Sequence, residues 1–371
     1  MGSIGNVIGY IIGTLDLVTL FGTTFGATQF KQLTLLAGFA LIATVSVTSW
    51  AVTERVLLPD ESKEDDGLGK IVKEIYQTTM NLPPRIQAIC NIQLWSWIGF
   101  FPFLFYSSQW IGEVYFRFDA PHDVKHSKDA LGDIGRIGSF ALSIFSCITF
   151  AGAFFLPLII KAPDEETFTA RPPEALAGFI SVYNKYKPDL VTSWIWGNSL
   201  FAFAMLLTPF AHSFRFATFL VCLCGLPWAV ASWAPGTYLG MEVQALSAAH
   251  SIPLTNTKRP KLTSTPSSAA LEKELDSSSS SPSGELSGLY FGILNIYTTI
   301  PQFIGTFISM IVFAVLEPGK SPELAHDAHP SEHHGTDGPN AIAVCMFIGG
   351  LCCIGAARAT GTLRDLIHAA R

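Results

Sequence analysis

Long apolar stretches and polar connecting segments alternate along the chain. Eight of the stretches hold about 20 mostly apolar residues, the length that an α-helix needs to cross the hydrocarbon core of a bilayer. They are Ser3–Gly22, Leu33–Val52, Ala88–Tyr106, Ile137–Ile160, Thr192–Ala211, Phe214–Pro235, Gly288–Leu316 and Ala341–Ala357. The pattern predicts an all-α polytopic membrane protein with eight spans.

The composition agrees with this prediction. Hydrophobic residues make up 49% of the 371 residues and charged residues only 14%, whereas about 25% of a typical soluble domain is charged. So few charged side chains cannot cover the surface of a water-soluble globule. The net charge of −6 also argues against nucleic acid as a partner, because phosphate binding needs a basic surface. We therefore expect the lipid bilayer to be the environment of the chain.

Lysine and arginine residues fall unequally on the two sides of the predicted spans. Sixteen of the 23 lie in the loops after the second, fourth and sixth stretches and in the C-terminal tail, and the other seven lie in the remaining loops. Cytoplasmic loops of membrane proteins carry the excess of positive charge. Both termini and the three basic loops are therefore expected in the cytoplasm.

The stretches and loops predict five regions. Residues 1–53 hold two spans, 54–85 a cytoplasmic loop, 86–236 four spans, 237–287 a Ser-rich cytoplasmic loop, and 288–371 the last two spans and the tail. The Ser-rich loop includes the run Ser277–Ser281 together with Pro, Lys and Glu residues. Such a composition cannot bury a core and predicts disorder.

Metal binding and catalysis are only weakly indicated. The loop 317–340 contains four histidines, His326, His329, His333 and His334, and we expect a solvated loop there rather than a metal site because no rigid element holds the rings together. The seven cysteines lie in apolar stretches, with spacings that match neither a disulfide framework nor a zinc ribbon. Phosphate-loop, zinc-protease and serine-hydrolase motifs do not occur in the sequence. The chain is therefore not expected to be an enzyme or to need a cofactor.

Two carboxylates in apolar surroundings are candidates for proton coupling, because an ionisable group inside a membrane is a functional candidate by default. Asp16 lies in the first stretch and Glu113 at the outer end of the third. In a partly dry cavity Asp16 would have a raised pKa and could take up and release a proton. The alternatives are an interfacial acid at Asp16 and an ordinary carboxylate at a helix end at Glu113.

Polar side chains within two spans predict a substrate pathway. In the third stretch, Asn91 and Trp95 share one helix face with Gly99, and Gln93 lies nearby. Amides that bond hydroxyl groups and indoles that stack on C–H faces suit a sugar, although the same aromatic residues could simply pack against neighbouring helices. A second set in the seventh stretch falls within about two turns and surrounds Pro301; it consists of Asn295, Thr298, Thr299 and Gln302.

Several segments resemble the glycoside–pentoside–hexuronide:cation symporters, specifically their sucrose-transporter-like branch in its fungal form. The similar segments are Gly5–Tyr10 with Asp16 and Leu17, Trp97–Tyr106 with Trp110–Tyr115, Cys224–Ser232, and Gly292–Asn295 with Ile300–Gln302. They occur in the order of that family's fifth, seventh, tenth and eleventh spans. One departure is that no arginine directly neighbours Glu113, which puts the charge roles of the plant members in doubt at this loop.

The resemblance implies a major-facilitator fold with twelve spans in two six-helix halves, of which this chain would hold spans five to twelve and lack the first four. It also implies proton-coupled import of sucrose or a related α-glucoside, with a disaccharide and protons as partners. Asp16 and Glu113 would couple protons, while Asn91, Gln93, Trp95, Asn295, Thr298 and Gln302 would contact the sugar. The plasma membrane is the expected location, ahead of the vacuole.

A non-transporting regulatory or receptor-like relative is the alternative function. It would use the Ser-rich loop for partners, and the missing first four spans favour it because alternating access needs two halves that move against each other.

Overall fold

The computed structural model describes residues 2–23, 25–52, 68–121, 130–161, 186–250, 282–317 and 339–369. These ranges are helical almost throughout. In chain order the helices are α1 (Gly2–Thr14), α2 (Leu17–Phe21), α3 (Gln29–Ala51), α4 (Leu68–Met80), α5 (Pro84–Val114), α6 (Ala130–Ile159), α7 (Leu190–Leu206), α8 (Phe214–Leu223), α9 (Gly225–His250), α10 (Pro282–Leu316) and α11 (Ala341–His368).

Seven candidate membrane spans occur within the described ranges. They are Gln29–Ala51, Pro84–Asp119, Gly132–Ile159, Leu190–Phe210, Phe214–Ala248, Ser287–Leu316 and Ala341–His368. Each corresponds to one of the predicted stretches, so the prediction of an all-α polytopic membrane protein is confirmed. The arrangement is consistent with a major-facilitator-like fold.

The first predicted stretch, Ser3–Gly22, is not one continuous span. Its apolar helix runs only from Ile4 to Thr14, and the short α2 follows after a break at Leu15 and Asp16. The break is stable because side chains replace the lost backbone hydrogen bonds: the Asp16 carboxylate accepts hydrogen bonds from the backbone N–H of Thr19 (3.1 Å) and from its hydroxyl (2.9 Å). Aspartate is a preferred residue at this N-cap position. Hydropathy averaged over the stretch conceals this interruption.

Some loop boundaries also differ from the predictions. Helix α4 lies in the predicted cytoplasmic loop 54–85, and α9 and α10 both extend into the predicted Ser-rich loop 237–287. The run Ser277–Ser281 and the four histidines of loop 317–340 lie outside the described residues. The five predicted regions therefore remain predictions.

Helix α5 lies at the centre of the packed helices, in contact with α6, α8, α9, α10 and α11. Its crossing with α11 is very close, because a methyl group built on Gly99 would lie 2.5 Å from the Gly349 carbonyl oxygen and from the Cys353 sulfur. Small residues allow membrane helices to approach in this way. Buried rings from three helices fill the space beside the crossing, with centroid distances of 4.7 Å for Phe100–Phe201 and 5.4 Å for Phe103–Phe145.

Helix α1 packs against α6 through small and hydroxyl-bearing residues. A methyl group on Gly13 would lie 2.7 Å from the Ser139 hydroxyl, and the hydroxyls of Thr14 and Ser143 lie 3.5 Å apart. Helix α3, in contrast, buries almost none of its apolar length. It contacts mainly α2 and, more weakly, α6. The polar and small character of the α1–α6 contact distinguishes it from the apolar core around α5.

The close crossing of α5 and α11 makes a testable prediction about Gly99. Gly99→Ala should lower the melting temperature measured in detergent, because overpacking a tight contact destabilises by about 1–3 kcal/mol. The matched control is Gly292→Ala, since a methyl group at Gly292 meets nothing within 4 Å and alanine favours the helix. Equal melting temperatures for the two variants would contradict the crossing.

Candidate functional site

Helix α10 carries two exposed faces of opposite character. One face is entirely apolar and consists of Ile296, Ile300, Phe303, Ile304, Phe307, Met310 and Ile311. The other, which we call the α10 polar stripe, consists of Asn295, Thr299, Gln302 and Thr306. The spacing of four, three and four residues places the stripe on one side of the helix. Hydrocarbon suits the first face, whereas the second needs water, protein or a polar ligand.

Packing on α5 fixes the orientation of α10. Pro301, Gly305 and Ser309 are buried, and a methyl group on Gly305 would lie 3.6 Å from the Phe101 Cβ and 3.7 Å from the Ile98 carbonyl oxygen. Pro301 has no N–H to donate to the carbonyl of Tyr297, so a backbone acceptor is released in the middle of the span. The α10 polar stripe therefore lies beside a weakened part of its own helix.

Two of the predicted residues of α10 form hydrogen bonds within their own helix. The hydroxyls of Thr298 and Thr299 both donate to the Asn295 carbonyl oxygen at 2.8 Å. Thr298 is half-buried next to the stripe, whereas Asn295 and Gln302 expose their amides. Thr306 was missed by the sequence reasoning, although it continues the same helical spacing by one further turn.

Asp16 forms an ion pair that the sequence did not predict. Its Oδ2 atom lies 2.7 Å from Nη1 of Arg136 on α6, and the same guanidinium also pairs with Asp133. The three charges join the break between α1 and α2 to the first turns of α6. Their side chains are partly exposed, with values of 44% for Asp16 and 31% for Arg136.

The environment of Asp16 is the opposite of the expected dry cavity. Asp16 lies between α1 and α2, outside the seven long apolar helices. The backbone N–H of Thr19, the Thr19 hydroxyl and then Arg136 hold the pKa of the Asp16 carboxyl below its usual range. The expectation of a raised pKa is therefore wrong for this arrangement of the helices. The carboxyl is ionised here and can become a proton acceptor only if these partners move away.

Glu113 also has an arginine partner. Its Oε1 atom lies 2.7 Å from Nη2 of Arg117, one turn further along. The helix continues as a short, wider π-helical segment at Tyr115–Asp119. The Asp119 carboxylate accepts a hydrogen bond from the backbone N–H of Phe214 at the start of α8. The Glu113–Arg117 spacing of four residues is visible in the sequence and could have indicated this pair.

The predicted substrate residues of α5 do not share one environment. Trp95 lies against α11, where a methyl group on Gly355 would come within 3.1 Å of its indole ring. Gln93 is buried, at 6% exposure, while Asn91 is exposed. The Asn91–Trp95–Gly99 face thus packs on α11 at Gly99 and with part of the Trp95 ring, while Asn91 and Trp95 remain exposed. Contact with α10 uses the side of α5 that carries Ile98 and Phe101.

A pair of indoles between α5 and α9 was not singled out by the sequence reasoning. Trp97 and Trp228 are both half-buried, with ring centroids 6.0 Å apart in an edge-to-face arrangement. Only the packing of α5 on α9 brings these two residues together. Within the described ranges, no group of three or more His, Cys, Asp or Glu side chains could hold a metal ion.

Comparisons with known proteins point to transporters. No protein-family model matches the chain. The chain is 26% identical over 409 aligned residues to a general alpha-glucoside permease of Schizosaccharomyces pombe, which covers 95% of this chain and 63% of the permease. It is also 25% identical over 92 residues to the sucrose transport protein SUT4 of Oryza sativa, in both the indica and japonica subspecies, covering 25% of this chain and 15% of the rice proteins.

These relatives are a permease and transport proteins rather than enzymes, in agreement with the expectation from the sequence. The chain spans less than two thirds of the length of the permease and a much smaller part of the rice proteins.

The contact between Asp16 and Arg136 can be tested by a double-mutant cycle. Asp16→Asn and Arg136→Gln should each lower the melting temperature at neutral pH. The double variant should lose less than the sum of the two, because either single substitution already removes the same ion pair. Since the pKa of Asp16 is lowered, the stabilisation should be present at neutral pH and be lost as the pH falls through that pKa.

The pair Arg85–Glu242, at 2.8 Å, is the control for this cycle, because it joins α5 to α9 without involving α1. Its variants should show no coupling to Asp16. Strict additivity of Asp16→Asn and Arg136→Gln would contradict the ion pair.

Proposed function

We propose that the chain is the transporting part of a proton-coupled sugar carrier for sucrose or a related α-glucoside. The observation that carries the proposal is the α10 polar stripe, an exposed polar row on a helix whose other exposed face is apolar. The similarity to an alpha-glucoside permease and to sucrose transport proteins supports sugar as the substrate class.

The side chains of the α10 polar stripe fit the chemistry of a sugar. Each sugar hydroxyl both donates and accepts hydrogen bonds. The amides of Asn295 and Gln302 can also do both, and the hydroxyls of Thr299 and Thr306 keep acceptor capacity. None of these groups is charged, so no charged side chain has to lose its hydration when a neutral disaccharide binds to the stripe. Thr298 supports this row from its half-buried position.

The ion pair between Asp16 and Arg136 is the proposed site of proton coupling. While α1 packs on α6, the hydrogen bonds from Thr19 and, to a smaller extent, Arg136 hold the pKa of Asp16 below its usual range. Separation of the two helices would remove the guanidinium and its share of this effect, so that the affinity of Asp16 for a proton rises and protonation is linked to the opening of this contact. The small residues between α1 and α6 suit a contact that forms and breaks. A membrane potential contributes about 2.3 kcal/mol per charge per 100 mV.

The other candidate residues have secondary places in the proposal. Glu113 pairs with Arg117 on the same helical segment, so helix separation alone does not release it, and it serves as a second proton-coupling candidate. Asn91, Gln93 and Trp95 remain candidates for sugar contact from α5. The whole carrier is proposed to have a major-facilitator fold of the fungal sucrose-transporter-like type, with both termini in the cytoplasm and the plasma membrane as its location.

Uptake measurements with variants of α10 test the substrate pathway. The longest reading frame that contains this chain is expressed in a yeast strain without sugar carriers, and uptake of radiolabelled sucrose and maltose is measured. Gln302→Leu should reduce uptake by about tenfold, because a hydroxyl of the bound sugar loses its hydrogen-bonding partner and is left unsatisfied. The control is Phe303→Leu on the apolar face, which should transport normally.

Equal uptake by the two variants would overturn the pathway along the α10 polar stripe. Absence of uptake for every sugar, with the unaltered protein present in the membrane, would favour the non-transporting alternative.

Proton coupling is tested by the pH dependence of uptake. The unaltered protein should transport faster at pH values of about 5 than of about 7, and Asp16→Asn should lose this difference, because an amide takes up no proton in this range. Glu242→Gln is the matched control, since it also removes a partly exposed carboxylate from an ion pair. Retention of the acid stimulation in Asp16→Asn would show that another group couples the proton.

A further inference from the structure

The apolar span Phe214–Ala248 is interrupted after its first ten residues, where α8 gives way to α9. At this point the Cys224 N–H bonds to the carbonyl oxygen of Val221, three residues back, at 3.1 Å. Pro227 follows and has no N–H with which to continue the helical hydrogen bonds. Interrupted helices are tolerated in a membrane only where protein or water surrounds the freed backbone groups. We call residues 224–227 the α8–α9 joint.

Helix α6 holds the α8–α9 joint closely. A methyl group on Gly225 would lie 3.1 Å from the Phe145 carbonyl oxygen, and one on Gly152 would lie 3.0 Å from the Cβ of Ala229. The Thr149 hydroxyl, buried on α6, donates to the carbonyl oxygen of Gly225 at 3.3 Å. Buried glycine contacts and a hydrogen bond to the backbone therefore fix the joint on α6.

The beginning of the span is attached to the π-helical end of α5 by exposed groups, which we call the first latch. The Asp119 carboxylate accepts a hydrogen bond from the Phe214 N–H, and the rings of Tyr115 and Phe214 lie 5.7 Å apart. The rings of Phe118 and His212 lie 5.2 Å apart. Asp119, Phe118 and His212 are all exposed, so water competes for the polar groups of this contact.

The far part of the span is attached to the first turn of α5 by an ion pair, which we call the second latch. Nη1 of Arg85 lies 2.8 Å from Oε1 of Glu242, with side-chain exposures of 32% and 21%. Solvent screens a partly exposed pair of this kind. The two latches lie at opposite ends of the span Pro84–Asp119, one on either side of the α8–α9 joint.

We propose that the α8–α9 span pivots at its joint on α6 and opens the two latches in turn, an inference that rests on the proposed transport function. A carrier opens its substrate pathway toward one side of the membrane at a time. Both latches are closed in the structure, so neither end of the span has moved away from α5. Opening one latch while the other stays closed moves only α8 or only the far part of α9.

The contacts favour movement at the ends of the span rather than at the joint. Close packing at the joint resists displacement. At the ends, water can replace an exposed hydrogen bond and screen a partly exposed ion pair at little net cost in free energy. The indole contact between Trp97 and Trp228 lies about one turn from Cys224, where a given rotation displaces atoms least.

Rigid-body rocking, which describes many carriers, makes the opposite prediction. In that movement α5 and the α8–α9 span belong to one unit and keep their distances, so a short tether between them leaves transport intact. If the span pivots at its joint, the same tether at either latch stops transport. Tethers therefore separate the two movements.

Reversible tethers are tested by the uptake of radiolabelled sugar into vesicles that contain the purified protein. The native cysteines that are not buried are first replaced by alanine; they are Cys147, Cys222 and Cys352. Pairs are then introduced at the first latch by Phe118→Cys with His212→Cys, and at the second by Arg85→Cys with Glu242→Cys. A short bifunctional methanethiosulfonate should reduce uptake by each pair at least tenfold, because gating movements limit turnover, and a reductant should restore uptake.

The matched control is a third tether at the joint itself, made by Ala153→Cys on α6 with Leu226→Cys on α9. Both positions are exposed, and the Leu226 side chain lies 3.6 Å from a methyl group built on Gly152, the neighbour of Ala153. This tether joins groups that the proposal keeps together, so uptake should stay near that of the untethered pair. Each single-cysteine variant, treated with the same reagent, shows the effect of modification alone. The proposal is overturned if either latch tether leaves uptake unchanged, or if the joint tether stops uptake as well.

A measurement that needs no uptake separates this inference from the proposed function. Nitroxide labels are attached to the same three pairs in the purified protein, and dipolar broadening of the electron paramagnetic resonance spectrum reports how close the two labels lie. Each latch pair should show a close and a separated population, and the joint pair the close population alone. Separated latch populations in a protein that takes up no sugar would overturn the sugar-carrier function and support the pivoting span. A single close population at all three pairs would overturn the pivoting span, whatever the protein transports.

Discussion

The bilayer requires every backbone polar group to find a partner inside the protein, and the rest of the structure depends on this constraint. It explains why the described ranges are almost entirely helical. It also explains where the helices can be interrupted. Between α1 and α2 the interruption is tolerated because Asp16 caps α2, and because Gln29 donates to the Leu15 carbonyl at 2.6 Å and accepts from the Leu17 N–H at 2.9 Å.

The two proposed functional elements lie in contacts of different chemical character. Helix α10 lies on α5 through apolar contacts, with a methyl group at Gly305 at 3.6 Å from the Phe101 Cβ. Helix α1 is held on α6 by small residues, hydroxyl groups and a partly exposed ion pair. The α1–α6 contact is therefore the one whose strength depends on charge and pH.

Sequence patterns predicted the spans well and the candidate site only in part. Hydropathy identified seven stretches that are long apolar helices, but it failed at Ser3–Gly22 because one aspartate changes the average very little while it changes the local hydrogen bonding decisively. The stripe on α10 was largely predictable, because Asn295 and Gln302 follow helical spacing. The α5 set was not, since the periodicity that places Asn91 and Trp95 on one face does not reveal that Gly99 on the same face crosses α11 closely.

The sequence by itself determined the class of the protein, the approximate positions of its spans and the polar row along α10, because apolar length and helical periodicity are local properties of a chain. Only the tertiary structure decided that Arg136 meets Asp16 and that Trp97 meets Trp228. These pairings join residues that are distant in the chain. They depend on how the helices pack, which no local pattern of residues encodes.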